Sequence, residues 1–90
     1  MEYITTKEIA SIITNINKNT LHTYLCGYRF SKFRLTDNSG INAKYILNRD
    51  FINTLYNFLW YKNKCKSAII LKQHFKDFRL EVMKFEEYVK

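Results

Sequence analysis

Ninety residues suffice for one domain with a modest core but not for an elaborate catalytic cleft. Hydrophobic residues are 47% of the chain and aromatics 17%, so it can fold without disulfide or metal staples. The net charge of +7 points towards a polyanion, and no apolar run approaches the ~20 residues of a membrane span.

The first helix is expected to open at Thr5, with Glu8 three residues on in a Thr-x-x-Glu capping box. Ile9, Ile12, Ile13 and Ile16 recur at near-helical spacing and make one apolar face, with small Ala10 where helices cross. Asn15, which tolerates a left-handed turn, marks the stop at about residues 14–15. The second helix takes Asn17 as its cap and runs to about Cys26, before Gly27. Leu21, Tyr24, Leu25 and Tyr28 form its inward stripe. Lys18, Asn19, His22, Thr23 and Cys26 lie opposite, on a helix that carries no Asp or Glu. Two short helices joined by a tight turn are the grammar of a helix-turn-helix, which offers its second helix to the DNA major groove. A merely polar helix exterior is the competing reading.

The segment YRFSKFRL alternates as a strand, with Phe33 and Leu35 inward and Arg34 and Thr36 outward. Asp37-Asn38-Ser39-Gly40 is turn chemistry. The return strand, Ala43 to Leu47, places Tyr45 and Leu47 inward and Lys44 and Ile46 outward. Pairing Phe33 with Leu47 and Leu35 with Tyr45 puts Arg34 and Lys44 on one outer face, as a phosphate-contacting wing needs. A plain structural hairpin is the alternative. The third helix begins after the cap Asn48 and buries Phe51, Ile52, Leu55, Phe58 and Leu59, with Tyr56 and Trp60 widening the stripe. Polar residues from Lys62 to Lys66 then read as a connection.

In the last segment Ala68, Leu71, Phe75, Phe78, Val82, Phe85 and Val89 alternate in steps of three and four. That heptad seam predicts one long helix, ~35 Å if unbroken. The ridge Phe78, Val82, Phe85 and Val89 either joins two copies in a homodimer or packs back on its own chain. The fold class that emerges is mostly α with a small β-hairpin: a winged helix-turn-helix over residues 1–62, then a long C-terminal helix over 63–90.

Charge is distributed unevenly. From Lys18 to Lys66 nine basic residues (Lys18, Arg29, Lys32, Arg34, Lys44, Arg49, Lys62, Lys64, Lys66) meet two acidic ones, Asp37 and Asp50. From Ser67 onward five basic residues face four acidic ones. The middle of the chain is therefore the polyanion candidate, although Lys-rich surfaces also serve solubility. The candidate DNA contacts are Lys18, Asn19, Thr20, His22 and Thr23 on the second helix, Arg29 and Lys32 after it, and Arg34 and Lys44 on the hairpin.

Catalytic and metal chemistry find little support. Asp37 sits in turn chemistry and Asp50 in a first helical turn, where a carboxylate favours the helix dipole. No Gly-rich phosphate loop and no triad is present, and the chain reads as a non-enzyme without cofactor. His22 and Cys26 share a metal-like i, i+4 spacing that Cys65 and His74 complete only on paper. The two cysteines form no disulfide framework, and MEYITTKEIA lacks a signal peptide's apolar core, so a cytoplasmic protein with reduced thiols is expected.

In TTKEIA, NKNTLHTYL, FRLTDNSGINAKYIL and RDFINTLYNFL the chain resembles the winged helix-turn-helix domains of MerR-type regulators and phage excisionases. The resemblance covers roughly residues 3–60. It departs at Thr14-Asn15-Ile16-Asn17, which has no Gly and is one residue longer than the usual turn. The resemblance implies duplex DNA as partner, and bending or repression through paired half-sites. A phage- or plasmid-type accessory regulator is the closer match, since no ligand-sensing domain follows. The alternative is a phage-type protein inhibitor of a host nucleic-acid-handling complex that uses the same shell for protein binding. A weaker third reading, RNA binding, rests on the aromatics around Trp60. Convergence of Lys18, Arg29, Arg34 and Lys44 with the second helix favours DNA, and an aromatic free face favours a protein.

Overall fold

The computed structural model describes residues 2–35 and 43–83. Its elements are β1 (Tyr3–Thr5), α1 (Thr6–Ile12), α2 (Lys18–Leu25), a 3-10 segment (Tyr28–Phe33), β2 (Lys44–Ile46), α3 (Arg49–Tyr61), α4 (Cys65–His74) and a short 3-10 turn (Lys76–Phe78). Among the described residues no helix is long and apolar enough to cross a membrane. The architecture is mostly helical with one two-stranded antiparallel sheet.

Local signals place the helix starts. Thr5 and Glu8 form the reciprocal capping box, with the Glu8 amide donating to Thr5 Oγ1 at 3.2 Å and the Thr5 amide to Glu8 Oε1 at 3.3 Å. Asn17 Oδ1 accepts from the Asn19 amide at 2.8 Å to open α2, and Asn48 Oδ1 accepts from the Phe51 amide at 2.8 Å to open α3. α1 ends at Ile12, two to three residues before the stop expected at residues 14–15. Ile13 and Ile16 are nevertheless buried with Ile9, so the turn itself inserts apolar side chains between α1 and α2.

The hairpin expectation requires correction. β2 pairs with β1, in the register Tyr3↔Ile46, Ile4↔Tyr45 and Thr5↔Lys44. On its other side β2 meets, among the described residues, a single bridge, Arg34↔Tyr45, with the Leu35 amide donating to the Lys44 carbonyl at 2.9 Å. That pairing is one residue off the expected Leu35–Tyr45 register, and Leu35 is 42% exposed instead of inward. Tyr28–Phe33 is 3-10 helix rather than strand because Phe30 and Phe33 are both buried. Residues three apart share a face in a 3-10 turn, whereas alternation would have sent one of them outward. The turn chemistry at Asp37-Asn38-Ser39-Gly40, where a wing tip is expected, lies outside the described residues.

α3 is the central core element. Phe51 meets the rings of Phe30, Phe33 and Tyr45, the last stacked at 5.4 Å, while Phe58 receives the edges of Tyr24 at 5.0 Å and Phe30 at 5.6 Å. The helix closes on Asn63, whose φ of 60° is left-handed. The Lys64 amide donates to the Leu59 carbonyl at 2.8 Å and the Asn63 amide to the Trp60 carbonyl at 3.0 Å, the two bonds of a Schellman ending.

The long C-terminal helix is also overturned. α4 stops at His74, and Arg79 adopts a left-handed φ of 54°. Residues 79–83 then run beside α3 with no helix, held by three of its polar side chains. Arg49 donates from Nε to the Phe78 carbonyl at 2.9 Å and from Nη2 to the Arg79 carbonyl at 3.1 Å. Asn53 Oδ1 accepts from the Glu81 amide at 3.0 Å. Asn57, buried, donates to the Glu81 carbonyl at 2.8 Å and accepts from the Met83 amide at 2.6 Å. Arg49, Asn53 and Asn57 are successive turns of one helix face and read alternate residues of an extended chain. Of the expected dimer ridge, Phe78 packs on the chain's own core and Val82 is 64% exposed, so the two do not share a helical seam. Phe85 and Val89 lie outside the described residues.

Asn57→Ala should cost about 1–3 kcal/mol, the magnitude for losing hydrogen bonds at a buried polar group. Val82→Asp should stay within about 0.5 kcal/mol, as exposed substitutions do. Chemical denaturation of both variants checks the pair, and a costly Val82→Asp with a neutral Asn57→Ala would contradict this packing.

Candidate nucleic-acid interface

α2 has two unlike sides. Leu21 and Leu25 are fully inside, and Tyr24 packs on the core. Outward stand exposed Lys18, Asn19 and Thr23, with Thr20 and His22 half-buried beside them. This side matches the sequence reading except at Tyr28. The helix ends at Leu25 and the chain redirects at Gly27, where a Cβ would come within 3.2 Å of the Tyr24 carbonyl. Tyr28 thereby leaves the inward stripe and is 70% exposed.

The outward groups differ in availability. Among the described residues the Asn19 carboxamide meets no hydrogen-bond partner. The Thr23 hydroxyl donates to the Asn19 carbonyl at 2.9 Å, within the helix. His22 rests against Cys26, with Sγ 3.5 Å from Nε2. Cys65 opens α4 and His74 closes it, so those two do not join His22 and Cys26. Among the described residues no three His, Cys, Asp or Glu side chains gather as a metal-binding group.

Basic residues flank both ends of α2. At its start Lys18 lines a shallow groove with Lys7, Ala10 and Ser11 of α1. Lys7 is missing from the sequence-level site, although it shares the face of Ala10 and Ser11 at i, i+3 and i+4. Beyond the helix end, the Arg29 guanidinium lies 4.9 Å from the Tyr28 ring centroid, 5.7 Å from Phe58 and 5.8 Å from Tyr61. Lys62 Nζ stands 5.6 Å from Phe58 and 5.8 Å from Tyr61. Exposed Tyr28 and Tyr61 thus share a patch with two cations, each contact worth about 0.5–1 kcal/mol at exposed sites. Lys32 sits over Phe33 at 5.1 Å, and Lys44 over Tyr3 at 4.5 Å. Arg49, by contrast, is engaged in holding the C-terminal segment.

Tyr45 ties the sheet to α2. Its hydroxyl donates to the Leu25 carbonyl at 3.1 Å, and Arg34 bridges it in the backbone. Arg34 is thereby held near the end of α2, while Lys18 marks the other end, roughly 12 Å away along eight residues of helix. Burial raises the Tyr45 phenol above its usual 10.0, and the positive charge of Arg34 opposes that rise.

A raised phenol means that the folded state holds this proton more tightly than the unfolded chain. Its contribution is fully present below about pH 10 and is lost as pH climbs through the folded-state value. Tyr45→Phe should therefore cost about 1 kcal/mol near neutrality, from the lost bond to Leu25, and flatten the alkaline decline in stability. Denaturation curves of both proteins from neutral to alkaline pH check this, and parallel declines would contradict it.

No protein-family model, curated protein or solved structure matches the chain.

Proposed function

We propose that the protein is a small non-enzymatic DNA-binding protein, a regulator or excisionase-like accessory factor, that lays α2 against the major groove of duplex DNA. The observation that carries this reading is the outer face of α2. It is polar, free of carboxylates and locked from behind by Leu21 and Leu25, and it offers an unengaged carboxamide at Asn19. An Asn amide can both accept and donate to an adenine edge, and His22, Thr20 and Thr23 lie on the same helix. Lys18, Arg29, Lys32, Arg34 and Lys44 serve as phosphate anchors on either side. In this reading Arg34 and Lys44, held at β2, do the backbone-contacting work of a wing.

Binding of a protein partner is the second reading, and Tyr28 and Tyr61 favour it. Large exposed rings beside Arg29 resemble the aromatic and Arg-rich centre of a protein interface. Salt separates the two readings. Lys and Arg displace condensed counterions from duplex DNA, so affinity should fall steeply between low and physiological ionic strength. A gel shift against a varied duplex pool measures this. Undetectable binding at low salt would remove the DNA reading and favour the protein one.

Within the DNA reading, Asn19→Ala should change which sequence is preferred, at about 1–3 kcal/mol for a lost base contact. Arg34→Ala and Lys44→Ala should weaken specific and random duplexes alike, since phosphates carry no sequence information. Competition binding on selected and random duplexes checks both. Equal losses on the two for Asn19→Ala would take α2 out of the reading role.

A further inference from the structure

Tyr28 and Tyr61 come from different elements yet share one cation. The Arg29 guanidinium lies 4.9 Å from the Tyr28 ring centroid and 5.8 Å from that of Tyr61, and Lys62 Nζ stands 5.8 Å from Tyr61. Buried Phe58 backs the group, 5.7 Å from the guanidinium and 6.4 Å from the Tyr61 ring. The backbone that carries Tyr28 is fixed. Ser31 Oγ donates to the Tyr28 carbonyl at 2.9 Å, and Phe30 and Phe33 anchor the 3-10 segment in the core. Tyr28 nevertheless stays 70% exposed and Tyr61 43%. Single exposed aromatics are ordinary, but two rings on packed elements around one guanidinium make a shared π surface. Its charge is one-sided: the stretches that build it, Lys18 to Phe33 and Phe51 to Lys76, contain neither Asp nor Glu.

We infer that this surface is a stacking platform for the unpaired bases of a single-stranded polynucleotide, with Tyr28 and Tyr61 receiving bases and Arg29 and Lys62 meeting the adjoining phosphates. A nucleotide joins a flat π system to an anion, and the patch sets a flat ring beside a cation. Arg29 can serve both parts, since a guanidinium plane also stacks. A protein partner would suit the rings, but it would have to supply carboxylates to both cations or leave them desolvated and unpaired, which is costly. A strand brings its phosphates with it. In a duplex the base faces are stacked on one another, so the platform takes a strand that is open at this point. Such a platform goes beyond the duplex reading of α2 and does not depend on it. Single strands of DNA and of RNA offer the same two features, bases with free faces and a phosphate backbone.

The test is fluorescence anisotropy of the full chain with a labelled thymidine oligonucleotide of about ten residues, against an abasic oligonucleotide of the same length and charge. The thymidine strand should bind about tenfold more tightly at equal salt, because the abasic strand keeps the phosphates and lacks the rings to stack. Tyr28→Ala should remove most of that margin and Tyr28→Phe should keep it, both changes being at the surface. Lys62→Gln should weaken the two strands alike. Equal binding of the two strands, no binding of either at low salt, or a Tyr28→Ala protein that retains the margin would overturn the platform and leave the rings to the protein reading. A uridine RNA of the same length separates the sources: tighter binding than thymidine, lost in Tyr28→Ala, assigns the platform to RNA, and weaker binding assigns it to DNA. An absent margin with an intact duplex gel shift removes the platform alone, whereas a failed duplex shift with the margin intact removes the α2 reading alone.

Discussion

The aromatic packing on α3 is the constraint on which the other features depend. Phe51 gathers Phe30, Phe33 and Tyr45, and Phe58 gathers Phe30 and Tyr24, so one helix fixes the positions of α2, the 3-10 segment and β2. In a 90-residue chain such rings are an efficient way to bury area, and their edge-to-face geometry adds about 0.5–1.5 kcal/mol per pair beyond burial. Because Tyr24 and Leu25 are held from below, the opposite side of α2 has no choice but to face outward. Arg29 and Arg34 leave the same 3-10 region and are carried to the margins of that face.

Where a structural decision is local, the sequence made it readable. Thr5 with Glu8, Asn17 and Asn48 each satisfy an orphan amide within three residues, and each helix starts where that chemistry says. The apolar stripe of α3 is equally direct, since Phe51, Ile52, Leu55, Tyr56, Phe58 and Leu59 are all buried and Trp60 is partly buried at its edge. β1 was not legible because three residues are too few for alternation to register, and Thr5 doubles as the cap of α1. The YRFSKFRL segment misled because its Phe30 and Phe33 satisfy a threefold period that a strand reading ignores. The candidate site inherits this split: the α2 face follows from local spacing, whereas the positions of Arg29, Lys7 and Tyr28 depend on packing between elements.

The C-terminal region shows a non-local interaction defeating a regular pattern. Steps of three and four through Ala68, Leu71, Phe75 and Phe78 favour continued helix, but the side chains of Arg49, Asn53 and Asn57 offer the backbone an alternative set of partners. An extended chain presents its amides and carbonyls sideways, and Asn57 can satisfy one of each. Phe75 and Phe78 still reach the core, stacked on one another at 5.5 Å, so their burial does not require the helix to continue. With Leu80 also buried, residues 78–83 pack along the domain and leave Val82 turned to solvent.

The central claim is that the outer face of α2 is where a polyanion is received. Amide hydrogen exchange of the free protein and of the protein saturated with duplex DNA tests it directly, because exchange reports protection segment by segment. The account predicts slowed exchange across Lys18–Leu25 and Tyr28–Phe33, with α3 unchanged in its already buried centre. Unaltered exchange across Lys18–Leu25 in a saturated complex would contradict it.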